Sequence, residues 1–189
     1  VYAALCRQLD KPLCIVTPGE AEATRFAADL NTLGIPAAVF PARDYVLRPI
    51  EGTAREYEYR RLAVLGELVG GRLRAVAVPA EALTQFTTPK EDFCANTRTL
   101  HTGDTLLRDD LLAALFGAGY TRRAQVDGPG QFSVRGDIVD IFAPDQKMPV
   151  RMEFWGDEID TLHTFDLTTQ RREDAIDKFY LSPAREVLF

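Results

Sequence analysis

The stretch Gly130–Glu158, GQFSVRGDIVDIFAPDQKMPVRMEFWGDE, decides the fold of the larger part of this chain. At its end, Val150–Trp155 alternates strictly. A strand's two-residue period puts Val150, Met152 and Phe154 on one face and Arg151, Glu153 and Trp155 on the other. The first set is a core face. Upstream, Phe132 to Phe142 reads as a companion strand whose apolar phase changes from Phe132/Val134 to Val139/Ile141, which predicts a bulge at Gly136. Gly128, Pro129 and Gly130 precede this strand, and Pro144 and Pro149 frame the loop before the next, so residues 124 to 165 are strands and turns.

Working outward, Leu107, Leu111, Ala114, Leu115 and Ala118 mark one amphipathic helix closed by Gly119, and residues 87 to 98 are polar around Pro89. The first 86 residues have another character. A helix ends near Leu9, Leu13–Val16 is strand-like, and Ala23, Phe26, Ala27 and Leu30 fall at helical spacing before Gly34 and Pro36. Ala37–Phe40 is a second short strand, Tyr57 to Leu68 a further helix, and Arg74–Val78 a third apolar run backed by Pro79. This alternation implies a parallel sheet covered by helices. The expected division is an α/β domain over 1–88, an inserted α+β domain over 89–168, and a return to the α/β domain over 169–189, with Lys178–Pro183 as a strand rejoining the parallel sheet.

At 189 residues and 46% hydrophobic content the chain can bury a substantial core. With 22 Lys and Arg against 28 Asp and Glu, the net charge of −6 argues against a surface devoted to neutralising phosphates. Cys6, Cys14 and Cys94 are odd in number, widely spaced and without a CxxC, so neither a disulfide framework nor a zinc site is suggested, and the reducing cytoplasm is the expected compartment. No apolar run approaches the ~18–20 residues of a membrane span, so no membrane association is expected. Starting at Val1 with neither an initiator Met nor a signal-peptide pattern, the sequence is expected to be a piece of something longer.

No enzymatic constellation emerges. Thr17-Pro18-Gly19-Glu20 follows a strand and opens a helix, as a phosphate loop does, but it lacks the Gly-Lys-Ser/Thr, and Glu20 and Glu22 would repel a phosphate. It reads as a plain strand-to-helix turn. Asp137, Asp140, Glu153, Asp157, Glu158 and Asp160 raise a two-metal nuclease site, yet they read as turn and solvent-facing positions of a small sheet rather than as carboxylates converging in a pocket. His101 and His163 lack triad partners and read as surface or boundary residues. Accordingly no catalytic, cofactor-binding or metal-binding residue is assigned, and the chain is not expected to be an enzyme.

What stands out is the face of Arg151 and Trp155, which carries the chain's only Trp beside two charges. Trp and Arg are the side chains most enriched at interface hot spots. Either a partner docks there, or a neighbouring helix covers the face. The expected bulge would aim Arg135 outward beside them, where it is either an ordinary strand arginine or a further contact.

The same residues carry a family resemblance. GQFSVRGDIVDIFAPDQKMPVRMEFWGDEIDTLHTFDLTTQR closely resembles the second domain shared by the excision-repair protein UvrB and the bacterial transcription-repair coupling factors. LLRDDLLAALFGAGYTRRAQV fits that domain's leading helix, and KFYLSPAREVLF resembles the strand returning to the first domain. The resemblance is specific over about Thr105 to Phe189 and weaker before it. It favours the N-terminal module of the coupling factors, because Phe40–Tyr45 runs almost directly into a helix where UvrB carries a long Tyr-rich segment and a DNA-clamping hairpin. The alternative is a fragment of UvrB itself.

The resemblance implies a degenerate, helicase-like first domain and a second domain that binds the damage-recognition ATPase UvrA. It aligns the family's contact positions with Arg135, Arg151 and Trp155, the last usually Phe. It also implies that ATP and Mg are used, and RNA polymerase and double-stranded DNA engaged, by other domains of a full-length translocase, with UvrA docking masked until stalled polymerase is met.

Overall fold

The structure, a computed structural model, describes residues 1–43 and 53–186. The short connection between Phe40 and the next helix therefore lies largely outside the described residues. The chain divides into two compact units, Val1–Thr87 and Thr88–Phe189.

The first unit runs α1 (Tyr2–Gln8), β1 (Leu13–Thr17), α2 (Glu20–Thr32), β2 (Ala37–Val39), α3 (Thr53–Val69), β3 (Ala75–Pro79) and α4 (Ala80–Leu83). Its three strands form a parallel sheet in the order β1-β3-β2, with β3 buried throughout. Small residues on one face of β3, Ala75 and Ala77, let α2 approach through Ala23, Ala27 and Leu30. On the other face Val76 and Val78 pack with Phe40, Val64, Leu65 and Leu68. This difference in side-chain volume sorts the helices between the two faces. No described helix is long and apolar enough to cross a membrane.

The second unit contains α5 (Lys90–Ala95), β4 (Arg98–His101), α6 (Arg108–Gly117), β5 (Thr121–Arg122), β6 (Gln131–Arg135), β7 (Ile138–Phe142), β8 (Val150–Trp155), β9 (Glu158–Phe165), β10 (Arg172–Ala175) and β11 (Lys178–Leu181). Six strands make one sheet in the order β10-β9-β8-β7-β6-β5, antiparallel except for β5 with β6. One face, carrying Phe132, Val139, Ile141, Val150, Met152 and Phe154, packs against Leu111 and Leu115 of α6 and closes the main core. Burying each such side chain is worth roughly 1.5–3 kcal/mol.

Two expectations change. Phe132 to Phe142 is two strands: Arg135 pairs with Ile138, and Gly136–Asp137 is a two-residue hairpin loop, not a bulge. Gly136 has φ of 60°, the conformation a hairpin with glycine at its first central position requires. The loop, by reversing the chain, shifts the apolar phase. A true irregularity lies in the pairing of β8 with β9, between Glu153 and Phe154. It lets Ile159 and Leu162, three residues apart, both face the core opposite Phe154 and Met152. Finally, Lys178–Leu181 does not rejoin the parallel sheet among the described residues. β11 pairs antiparallel with β4 inside the second unit, where Leu100, Phe179 and Leu181 seal the main core. Within the polar and charged stretches, α5 is anchored by buried Phe93, and exposed β10 forms the sheet's edge.

After α6, Gly119 takes φ of 85°, and a Cβ there would lie 2.6 Å from Cγ of Arg185. Gly119→Ala should therefore destabilise the second unit by about 1–3 kcal/mol, read as a lower urea midpoint with an unchanged slope.

Candidate functional site

The second face of the six-stranded sheet changes character along its strands. At one end Val126, Phe142, Phe165 and Leu167 form a small apolar cluster. At the other, both hairpin loops, Gly136–Asp137 and Gly156–Asp157, lie side by side, tied by the Phe154 amide donating to the Asp137 carbonyl at 2.9 Å. Between them lies an ionic row.

Register creates that row. Asp140 pairs with Ser133 on one side and Arg151 on the other, and Arg151 with His163. Asp140 is fully buried. Arg151 donates from Nε to Oδ1 at 2.7 Å and from Nη2 to Oδ2 at 2.9 Å, a bidentate fork that matches the carboxylate plane. Its Nη1 donates to the Gln170 carbonyl at 3.2 Å, and its guanidinium stacks 4.7 Å from the Phe165 ring centroid. Arg135 completes the carboxylate with a bond from Nη2 to Oδ2 at 2.6 Å, its own side chain 46% exposed.

The Gln170 carbonyl is aimed by a tight turn joining β9 to β10. Oδ1 of Asp166 accepts from the amides of Thr169 at 2.7 Å and Thr168 at 3.1 Å, and Gln170 itself takes φ of 58°. The Thr169 amide, helped by the Thr169 hydroxyl and the Thr168 amide, holds the Asp166 carboxyl below the usual aspartate range.

One rung nearer the loops, Arg135 pairs with Ile138, Ile138 with Glu153, and Glu153 with Thr161. Ile138 and Glu153 are half-buried, and Glu153 forms an ion pair with Arg172 of the edge strand. Beyond them stands Trp155, 83% exposed. The open end of the face is thus an aromatic side chain and a half-buried isoleucine flanked by arginine. Among the described residues no group of three or more His, Cys, Asp or Glu is arranged to hold a metal ion.

Arg135, Arg151 and Trp155 therefore share one face, but they are not equivalent. Trp155 stands in solvent and Arg135 is half in solvent, whereas Arg151 is only 9% exposed and already spends its fork on Asp140. Asp140 corrects the reading of the acidic residues as solvent-facing. Strand parity held the signal: with Val139 and Ile141 in the core, Asp140 must share the face of Ile138 and Phe142. Ile138, Phe165 and Gln170 were also missed, because their roles depend on which strands become neighbours.

Residues 99–187 match the family model of the UvrB interaction domain, and that segment is a domain of this class. The chain is 28% identical to the transcription-repair-coupling factor of Bacillus subtilis (strain 168) over 188 residues, covering 98% of the chain and 16% of that protein. It is 35% identical to the factor from Myxococcus xanthus over 199 residues, covering 100% of the chain and 16% of the relative. With that of Mycobacterium tuberculosis (strain CDC 1551 / Oshkosh) identity is 37% over 185 residues, 94% of the chain and 15% of the relative. The chain is thus similar to transcription-repair coupling factors over nearly its whole length, and it spans only about one sixth of the length of these relatives.

Two outcomes follow from the ionic row. Arg151→Ala removes the two-bond fork and leaves the buried Asp140 carboxylate with the single bond from Arg135; it should cost on the order of 3–5 kcal/mol, so the variant should unfold at much lower urea than the parent. For Asp166, a depressed pKa means that its contribution to the turn is present above the ordinary aspartate range and lost as pH falls through its own lower value. A carboxyl titration followed by NMR should place its midpoint below that of an unstructured aspartate, and Asp166→Asn should release the amides of Thr168 and Thr169 to faster exchange at neutral pH.

Proposed function

We propose that this chain recruits UvrA, using the open end of the second sheet face, as the N-terminal module of a transcription-repair coupling factor. The observation that carries this reading is Trp155, 83% exposed beside a half-exposed Arg135 in a domain of the UvrB interaction class. Leaving an indole in water forgoes burial that a partner can recover, and a neighbouring arginine adds charge-assisted bonds to carboxylates on that partner. Trp155 and Arg135 are the contacts. Arg151 contributes from beneath, by fixing Asp140 and the sheet.

On this reading the fragment performs no catalysis and holds no cofactor of its own. ATP and Mg serve the motor domains of the full-length translocase, which also engage RNA polymerase and double-stranded DNA, and the first unit is a degenerate relative of a helicase-like domain. The protein works in the cytoplasm. The rival assignment, a fragment of the excinuclease subunit UvrB, is less well supported, because the relatives quoted above are coupling factors over nearly the whole chain.

Titration of purified UvrA against the chain tests the assignment. Trp155→Ala and Arg135→Ala should each weaken binding by about 2 kcal/mol, some thirtyfold, with circular dichroism and the unfolding midpoint unchanged. Arg135→Ala should also flatten the dependence of affinity on salt. Normal UvrA affinity in both variants would remove this face as the docking site.

A further inference from the structure

Resting on the docking reading above, we infer that Asp140 is a positioning residue for Arg135, holding its guanidinium in one orientation at the open end of the face that carries Trp155. The carboxylate is fully buried and has two arginine partners, which have different environments. Arg151, nearly buried, satisfies the charge of Asp140 by itself: one fork, two bonds, with its remaining direction fixed by Phe165 and the Gln170 carbonyl. The carboxylate is then already neutralised when Arg135 reaches it. Arg135 adds a bond to Oδ2 that the neutralisation of the carboxylate does not require, so its own charge is carried to the open end of the face.

That bond is the only side-chain hydrogen bond Arg135 makes among the described residues. A guanidinium has five N–H donors, so one Nη2 hydrogen spent on Asp140 leaves the others available. Arg135 is the last residue of β6, next to the Gly136 loop, with its side chain 46% exposed, whereas Arg151 lies against the Phe165 ring. Without Asp140 its long side chain would sample many rotamers, and a partner would have to order it on binding. With Asp140 it is held in advance. The anchor is rigid because the Asp166–Arg171 turn and Phe165 hold Arg151, and Arg151 holds Asp140 from two directions.

A merely structural Asp140 would serve Arg151 alone, and the two roles separate in a double-mutant cycle. The background is Asp140→Asn with Arg151→Gln, which replaces the buried ion pair by a neutral amide pair and so leaves no unpaired buried charge, with circular dichroism checking that the sheet stays folded. In the parent, Arg135→Ala and Trp155→Ala each weaken UvrA binding by about thirtyfold. In the amide background Arg135→Ala should cost no more than about threefold, while Trp155→Ala retains its full effect. If Arg135→Ala costs the same in both backgrounds, Asp140 does not position it. If both contacts lose their effect together, the background has disturbed the whole face and the positioning role is likewise rejected. A second readout needs no partner. ¹⁵N relaxation of the Arg135 Nε–H in the chain alone should report a restricted guanidinium in the parent and a mobile one in Asp140→Asn. Equal mobility in the two overturns the inference. Restricted-to-mobile behaviour combined with normal UvrA binding by Arg135→Ala would instead uphold the positioning and sink the docking assignment.

Discussion

The second unit is organised around one buried carboxylate. Asp140 lies in the middle of a six-stranded sheet, on the face that α6 does not cover, and burying it is tolerable only because Arg151 meets both of its oxygens. That single fork sets several other choices. The carboxylate and the guanidinium must be directly opposite, so β7 and β8 have one permitted register. A slip of one residue would bring Val139 and Ile141 to the polar face and would separate the pair. The polar row and the apolar core thus enforce the same alignment from opposite sides of the sheet.

Everything on that face is graded from this centre. Toward one end, Phe165 shields Arg151, and the turn after β9 delivers the Gln170 carbonyl to it. Toward the other, shielding stops. Ile138 is half-buried, Arg135 is half in solvent and Trp155 projects fully. Such a gradient couples a rigid base to an open rim, which is the arrangement that binding surfaces need if their contact residues are to be ordered before the partner arrives. It also explains why one strand, Val150–Trp155, can carry a core face, a structural arginine and an exposed aromatic within six residues.

Much of this was legible in the residue order. Alternation along Val150–Trp155 separates core from non-core side chains, and Trp155 is conspicuous there as a large aromatic on the charged side. The helix over Leu107–Ala118 and the alternating helices and strands of the first 80 residues are equally visible, because burial on one stripe of a helix or one face of a strand imposes a period. Less legible was Gly136. Its Gly-Asp dipeptide is a hairpin signal, but the phase change that accompanies a hairpin loop resembles that of a bulge, and only the pairing of Arg135 with Ile138 distinguishes them. The charged segment Arg172–Ala175 gives no strand signal at all, since an exposed edge has no burial to impose a pattern.

The sequence by itself determined which side chains are core and which face of β8 is different, because the two-residue period is a property of the extended backbone and needs no partner strand. It also carried the kinship with the coupling factors. Tertiary structure alone decided what that different face is made of. Asp140 and Arg151 are eleven residues apart, Arg151 and the Gln170 carbonyl nineteen, and nothing in local order reveals that a hairpin loop, a cross-strand register and a turn bring them together. Burial, not residue type, then divides the arginines: Arg151 becomes part of the framework because it is enclosed, and Arg135 remains available because it ends a strand at the open rim.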